Sequence, residues 1–289
     1  MSVKFGLVGG GVMGEALLSR LITQKIYQPS EVLVSEPQQQ RRVFLEQQYG
    51  VPVTADNRVV ALEAKVLFLA VKPQVFTSVA QTLSDVVATV ADLEPPLVIS
   101  ILAGVPLSKL EAAFPQLPVI RAMPNTPATV GAGITALALG KHTDESHKKI
   151  AQQVFAAVGE VVVVPEALMD AVTGLAGSGP AYVAMMVEAL SDGGVAAGLP
   201  RAIALRMALQ TVRGTAVLLQ ETGMHPAELK DRTASPGGTT IAGITELERA
   251  GFRSALIEAV RAASLRSQEL AISPQEVGNG LELNKLDPV

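Results

Sequence analysis

The sequence predicts an α/β domain built on a parallel β-sheet, followed by an all-helical domain. In the first half of the chain, short apolar runs rich in β-branched residues alternate with segments of helical periodicity. After Val164 these runs stop, and the chain continues in helical segments rich in alanine and leucine. Near-continuous apolar strands separated by helices are typical of a parallel sheet that is covered on both faces. We therefore expect two domains, residues 1–164 and 165–289.

The expected strands share a high content of valine, isoleucine and leucine. They are residues 3–8, 31–34, 66–71, 97–102, 119–123, 134–139 and 160–164. In the helical half, small residues recur, as in the segment AYVAMMVEAL at 181–190. Small residues allow surfaces to approach closely, so we expect this half to pack against a second subunit.

Composition limits the classes of function. With 289 residues, of which 48% are apolar, the chain can bury a large core. Its net charge of −4 and the absence of a basic run argue against nucleic-acid or anionic-membrane partners and favour a small molecule. The lack of cysteine excludes disulfides and thiolate metal sites. Acidic residues such as Glu160 and Glu188 interrupt the apolar stretches, so no transmembrane helix is predicted. No signal-peptide pattern is present, and we expect a cytoplasmic protein.

A glycine cluster, GGGVMG, directly follows the first expected strand. Gly9, Gly11 and Gly14 satisfy the pattern G-x-G-x-x-G and lead into a helical segment through Val12 and Met13. In such a loop the first glycine makes the turn, the second lets the backbone approach a pyrophosphate, and the third lets helix and strand pack closely. The helix N-terminus also favours the phosphate charge. The sequence therefore predicts a Rossmann-like dinucleotide-binding domain.

The end of the second expected strand bears on the choice of dinucleotide. Glu36 lies about 20 residues beyond Gly14, the usual distance for an acid that binds the 2′-hydroxyl of NAD. Ser35, Arg41 and Arg42 instead favour the 2′-phosphate of NADP. A third interpretation is that Glu36 and the arginines are ordinary solvated charges. The residues alone leave these alternatives open.

A second glycine-rich turn, SPGGTT at 235–240, precedes an amphipathic run that ends at Gly251. Free amides at a helix start, together with the helix dipole, can bind a carboxylate. The hydroxyls of Ser235 and Thr240 would add neutral donors. A simple N-cap with a tight turn explains the same residues equally well on local grounds.

Other chemistry lacks support in the sequence. His142, His147 and His225 do not have metal-ligand spacing, so we expect surface or capping histidines and no metal. The chain contains no G-x-S-x-G, H-E-x-x-H or Walker pattern, and hydrolase or NTPase activity therefore loses its usual signature.

Several segments together resemble the pyrroline-5-carboxylate reductases, in the order of that family and across nearly the whole chain. They are GLVGGGVMGEAL (6–17), AVKPQ (70–74), AGV (103–105), RAMPNTPATVGAGITAL (121–137), AGSGPAYV (176–183), AGLPR (197–201) and the long segment from HPAELK to LIEAV (225–260). The resemblance implies reduction of 1-pyrroline-5-carboxylate to L-proline, with NADP(H) preferred and NAD(H) possible. It also implies that residues 165–289 form an all-α dimerisation domain of an interlocked homodimer, which often assembles further into rings.

The resemblance also implies site residues. Cofactor contacts fall on Gly9, Gly11, Val12, Met13, Gly14, Ser35, Asn57, Ala70, Val71, Lys72, Pro73, Ala103, Met123, Pro124 and Asn125. Substrate contacts fall on Ser235, Gly237, Gly238, Thr239 and Thr240, and the Thr240 hydroxyl is the expected donor to the ring nitrogen. The chain departs from the family at Ala176, where serine is usual. Under this interpretation the glycine-rich loop at 9–14 binds the cofactor pyrophosphate, and the glycine-rich turn at 235–240 binds the substrate carboxylate.

Two alternatives accompany this interpretation. A β-hydroxyacid dehydrogenase-like oxidoreductase has a similar two-domain plan but uses a catalytic lysine on a helix of its second domain. Here that half offers only Lys230 and Lys285, neither in that setting. A non-catalytic dinucleotide-binding sensor is the second alternative, and it would bind the cofactor without turning over any imine.

Overall fold

The computed structural model describes residues 3–90 and 95–271, which form two compact units. The second unit is Ser178–Ala262, and the first contains the rest of the described chain. The expected division at 164/165 coincides with the end of the sheet and not with the division between compact units. The first unit continues to Gly177 and takes in the end of the last helix, where the Ser267 hydroxyl donates to the Asp170 carboxylate at 2.7 Å.

The first unit is built on an eight-stranded sheet with the strand order β3-β2-β1-β4-β5-β6-β7-β8. The seven expected strands are confirmed, and one short strand, β3, is additional. The strands are β1 (Phe5–Val8), β2 (Val32–Ser35), β3 (Val53–Thr54), β4 (Val66–Leu69), β5 (Leu97–Ser100), β6 (Val119–Met123), β7 (Gly133–Leu139) and β8 (Gly159–Val163).

All neighbouring strands are parallel except β6 and β7, which are antiparallel. The expectation of a fully parallel sheet is therefore wrong at this pair. The connection from Met123 to Gly133 is too short for a parallel crossover, which takes about a dozen residues or more. Instead the chain turns back through a short 3₁₀ segment, Thr126–Val130.

Helices cover the sheet and make up the whole second unit within the described ranges. They are α1 (Val12–Thr23), α2 (Gln39–Tyr49), α3 (Asn57–Glu63), α4 (Phe76–Val90), α5 (Leu107–Ala113), α6 (Glu145–Ala156), α7 (Met169–Val172), α8 (Gly179–Ala196), α9 (Arg201–Thr222), α10 (Pro226–Thr233), α11 (Thr239–Arg249) and α12 (Phe252–Ala271). One π-helical turn, Thr173–Gly177, connects α7 to α8.

The sheet is buried on both faces, as the apolar strand composition predicts. Successive residues of one strand enter different apolar clusters: Leu67 and Leu69 pack in one, Val66 and Phe68 in the other. In the second cluster the rings of Phe68 and Phe155 lie 5.7 Å apart. This double burial holds the strand ends in fixed positions.

The order of the strands reverses between β1 and β4, which lie side by side in the sheet. The chain leaves β1 toward β2 on one side and later returns to β4 on the other. In open α/β sheets such a switch point opens a crevice at the carboxyl ends of the strands, where ligands bind. The strands β1, β4, β5 and β6 all end at this edge.

The second unit exposes many apolar side chains. The buried residues of α9 are Ala204 and Ala208. Here α8 and α9 pack closely, because a Cβ added to Gly194 of α8 would lie 3.0 Å from the Cβ of Ala204. By contrast, Ile203 and Met207 of α9 are 48% and 56% exposed. The sequence predicts no transmembrane helix, yet α9 has the length and composition to cross a membrane. A single helix of this kind does not identify a membrane protein, since helices that pack in protein interiors pass the same test.

A buried ion pair connects the sheet to the segment that follows it. The Arg121 side chain on β6 is 7% exposed and lies 3.1 Å from Oε1 of Glu166, which is 33% exposed. The same oxygen accepts the Leu107 N–H at 2.5 Å. Glu166 thus neutralises a buried guanidinium and satisfies the first amide of α5.

Glu166→Ala should destabilise the protein by about 2–3 kcal/mol, because it leaves the buried Arg121 charge unpaired and the Leu107 amide without its acceptor. Glu145→Ala, which removes one partner of an exposed pair with Lys148, is the matched control and should cost below about 1 kcal/mol. Denaturant unfolding followed by circular dichroism at one protein concentration measures both. Equal unfolding midpoints for the two variants would contradict this account of Arg121.

Candidate functional site

The glycine loop after β1 has three glycines with different structural demands. Gly9 has a φ of +103°, and an added Cβ would lie 2.8 Å from the Ala70 carbonyl oxygen. A Cβ on Gly14 would lie 2.3 Å from the Gly9 carbonyl oxygen. A Cβ on Gly11 would meet no atom within 4 Å. The fold itself therefore requires glycine at 9 and 14, whereas at 11 only an approaching ligand would.

Four loops that carry expected cofactor contacts meet at the edge where β1, β4, β5 and β6 end. They are the glycine loop, Ala70–Pro73, the turn at Ala103, and Met123–Asn125. The Ala70 N–H donates to the Val8 carbonyl at 2.8 Å and so ties the second loop to the end of β1. Lys72, Pro73 and Ala103 are exposed, and Val71 is half-buried.

Of the remaining expected contacts on these loops, Val12 is exposed at the first position of α1. Met13, in the first turn of α1, and Pro124, in the loop after β6, line the same small apolar cavity together with Ile101. This packing holds the glycine loop and the loop after β6 against one core.

Ser35 and Asn57 lie at the end of β2 and the start of α3, and they bind each other. The Ser35 hydroxyl donates to Asn57 Oδ1 at 2.7 Å, and Ser35 is fully buried. Asp56 caps α3 by accepting the Arg58 N–H at 3.0 Å, which fixes the direction in which this helix begins.

The Glu36 carboxylate is turned into the protein. Glu36 is 8% exposed; its Oε2 accepts the Gly10 N–H and its Oε1 accepts the Gln38 N–H, each at 3.0 Å. Arg41 donates through Nε to the Gly10 carbonyl at 2.7 Å. Arg42 donates to the carbonyls of Glu36 and Pro37 at 2.7 and 2.8 Å. The interpretation of these residues as ordinary solvated charges is therefore wrong, because they hold the loop region together.

The pKa of Glu15 reflects this network. Burial acts to raise the pKa, but hydrogen bonds from Arg41 and Tyr49 and the charge of Arg41 outweigh it, so that the pKa is lowered. The Tyr49 hydroxyl donates to Glu15 Oε1 at 2.7 Å, and burial and this carboxylate raise the pKa of Tyr49. Glu15 thus stays ionised beside the arginine.

Asn125 has a positioning role that the sequence did not reveal. Its Nδ2 donates to the Ala176 carbonyl at 3.2 Å, and its Oδ1 accepts the Ile134 N–H at 3.0 Å. The side chain therefore joins the loop after β6 to β7 and to the π-helical turn. The hydrogen bond from Asn125 goes to the main-chain carbonyl of residue 176, which alanine and serine both have. Alanine at this position therefore preserves the bond.

The SPGGTT segment forms a tight turn followed by the uncapped start of α11. The Gly238 N–H donates to the Ser235 carbonyl at 3.0 Å, and Gly237 has a φ of +65°. Gly238 is the N-cap residue, and no side chain caps the helix. Within the described part of the chain, the hydroxyls of Ser235, Thr239 and Thr240 form no hydrogen bond. The tight turn and an N-cap residue, Gly238, are thus both present, and the first amides of α11 have no side-chain acceptor.

The other candidate residues have structural partners or lie outside the described residues. His147 completes the capping box of α6 by accepting the N–H of Asp144, the N-cap residue, and His225 caps α10 by accepting the Ala227 N–H, each at 3.2 Å. His142 is exposed, so the expectation of surface or capping histidines is confirmed. Lys230 pairs with Asp231 at 2.8 Å. Lys285 lies outside the described residues. Among residues 3–90 and 95–271, no group of histidine and acidic side chains is arranged to hold a metal ion.

Two family models match the chain. Residues 4–104 match the model described as NADP oxidoreductase, coenzyme F420-dependent, and residues 166–270 match pyrroline-5-carboxylate reductase dimerisation. The boundary at 166 agrees with the end of the sheet.

Relatives cover more than nine-tenths of the chain. A pyrroline-5-carboxylate reductase of Synechocystis is 58% identical over 93% of this chain and 99% of its own. Among solved structures, the reductase of Coxiella burnetii is 34% identical with a TM-score of 0.87, covering 94% of this chain and all of the other. That of Plasmodium falciparum, with NADP bound, is 29% identical with a TM-score of 0.83, covering 93% and 98%. The first unit is thus a Rossmann-like domain, and the chain belongs to the pyrroline-5-carboxylate reductase family.

Proposed function

We propose that the chain reduces 1-pyrroline-5-carboxylate to L-proline by hydride transfer from NAD(P)H, the last step of proline biosynthesis. Family membership, shown over more than nine-tenths of the chain, supports this reaction. The observation that carries the proposal is the start of α11, where backbone amides and unbonded hydroxyls lie at an uncapped helix N-terminus. Such a start suits a small carboxylate that also carries a hydrogen-bond acceptor.

The cofactor residues of the proposal are those at the edge of the sheet. Gly11 leaves open space at the start of α1, as a pyrophosphate would need. The other residues are Gly9, Val12, Met13, Gly14, Ser35, Asn57, Ala70, Val71, Lys72, Pro73, Ala103, Met123, Pro124 and Asn125. When bound, the nicotinamide supplies the hydride. NADP(H) is the preferred cofactor of the proposal and NAD(H) is also used, since Glu36 places a negative charge near the end of β2.

The substrate residues of the proposal are Ser235, Gly237, Gly238, Thr239 and Thr240. The amides of the turn and of the first helical residues bind the carboxylate. As the hydride adds to the imine carbon, the C=N π electrons become a lone pair on the ring nitrogen, and the Thr240 hydroxyl donates a hydrogen bond to it. A protonated cyclic imine is already electrophilic, so the protein does not need to supply a strong acid. Positioning of the imine carbon then contributes most of the rate enhancement.

Assembly through the second unit completes the proposal. The match to the dimerisation model covers α8, α9 and α10, α11 and most of α12, and exposed apolar side chains such as Ile203 and Met207 lie in this region. We propose a homodimer, and a ring of dimers beyond it, with no nucleic-acid or membrane partner. Cytoplasmic localisation stays a prediction.

One assay tests the reaction. NADPH and NADH oxidation with 1-pyrroline-5-carboxylate is measured beside NADP⁺ and NAD⁺ reduction with a 3-hydroxy acid. We expect turnover with the imine and none with the hydroxy acid. Turnover with the hydroxy acid alone would favour the β-hydroxyacid dehydrogenase alternative, and cofactor binding without any turnover would favour the sensor.

Gly11→Ala should weaken dinucleotide binding by about tenfold or more, because the methyl group occupies the approach of the pyrophosphate. Its melting temperature should change little, since the added Cβ meets no protein atom. Gly14→Ala is the matched comparison and should lose stability through its clash with the Gly9 carbonyl. Calorimetric titration and thermal melts distinguish them. If a folded Gly11→Ala variant binds the cofactor as tightly as the parent, the glycine loop does not contact the pyrophosphate.

Thr240→Ala should lower kcat/KM for the imine by roughly five- to 150-fold, because one neutral hydrogen bond of about 1–3 kcal/mol is lost in the transition state. Thr240→Ser keeps the donor and should retain most activity. Thr245→Ala, on the same helix with its hydroxyl bonded to the Ile241 carbonyl, is the control and should keep full activity. An alanine variant at 240 as active as the parent would show that this hydroxyl does not contact the substrate.

Ile203→Glu combined with Met207→Glu should convert the dimer to monomers, because it places two charges on one side of α9 that the partner would have to bury. Gln210→Glu, on the same exposed helix, is the charge control and should leave the dimer intact. Sedimentation velocity at several concentrations measures both. If the double variant sediments like the parent, this side of α9 is not an interface.

A further inference from the structure

Arg41 is held at the glycine loop by contacts of three kinds. Its Nε donates to the Gly10 carbonyl at 2.7 Å. Its guanidinium forms a close ion pair with Glu15 of α1, and its Cζ lies 4.9 Å from the centre of the Phe44 ring. Glu15 is held in turn by the Tyr49 hydroxyl. The guanidinium therefore has a fixed position and a compensated charge.

Gly10 is fixed from its other side as well. Its N–H donates to the buried Glu36 carboxylate at 3.0 Å, so the peptide bonds on both sides of Gly10 each have a side-chain partner. In a trans peptide the carbonyl of one residue and the N–H of the next point in opposite directions. The bond from Arg41 to the Gly10 carbonyl consequently sets the direction of the Gly11 N–H.

The Gly11 N–H belongs to the part of the loop that faces a pyrophosphate in this class of domain. We propose that Arg41 is a positioning residue, which orients the Gly11 amide for the cofactor pyrophosphate and does not bind the 2′-phosphate. The inference rests on the proposed function for the identity of the cofactor loop. Because NADH and NADPH share the pyrophosphate, Arg41 contributes equally to the binding of both.

Arg41→Met tests this inference, since methionine keeps an apolar side chain beside Phe44 but removes every donor. Affinity for NADH and for NADPH is measured by calorimetric titration of the full chain. We expect each to fall by about tenfold, with their ratio unchanged within about twofold. The melting temperature without cofactor should fall only moderately, because the contacts with Gly10 and Glu15 are lost. The KM for the imine should stay near that of the parent, which a general loss of structure would not allow. Lys141→Met removes an exposed positive charge and controls for net charge.

Three outcomes would overturn the inference: a loss confined to NADPH, which makes Arg41 a ligand of the 2′-phosphate; a loss confined to NADH; or unchanged affinity for both. If Arg41→Met does not fold, Arg41→Lys is measured instead, because lysine keeps the charge but not the fork that reaches both Gly10 and Glu15. It should again weaken both cofactors equally, and unequal or absent loss would overturn the inference. Absence of imine reduction by the parent would contradict the proposed function, but the binding measurements would still decide the role of Arg41.

Discussion

The close approach of α1 to the end of β1 is the constraint on which the cofactor edge depends. It is possible only because residue 14 has no side chain: an added Cβ would lie 2.3 Å from the Gly9 carbonyl oxygen. This contact places the N-terminus of α1 at the edge where four neighbouring strands end. The positive end of the helix and the loops after β4, β5 and β6 then surround the same space, which is the arrangement that a dinucleotide requires.

The sequence predicted the elements of the fold better than their connections. A strand buried on both faces must be apolar throughout, and all seven such runs are strands. β3 has only two residues, Val53–Thr54, which is too short to leave a pattern. The reversed direction of β7 depends on the length of the connection before it and not on its own composition. The end of α12 belongs to the first unit, where Ser267 bonds to Asp170. Such a contact between residues far apart in the chain leaves no pattern in the sequence.

For the candidate site, backbone requirements were predictable and side-chain partnerships were not. Close contacts exclude a side chain at Gly9 and Gly14, and a positive φ favours glycine at Gly237, so residue type signals these turns. Glu36 and Arg41 reach Gly10 from 26 and 31 residues away. From the sequence, a charged residue near the end of β2 is equally compatible with a ligand, a solvated residue or a support. Only the distances distinguish these roles. They show a supporting network in which Glu36, Arg41, Glu15 and Tyr49 act together.

The exposed apolar surface of α9 has a consequence for the newly made chain. In the unassembled chain this helix exposes a segment with the length and hydropathy of a membrane span, and exposed apolar segments of this kind are prone to wrong associations before assembly. Arg206 and Arg213 lie within it, and an arginine at the centre of a membrane-spanning helix costs about 2.5–3.5 kcal/mol on insertion scales. The two arginines thus make membrane insertion of α9 more costly, while its exposed apolar side chains keep the surface that assembly would bury.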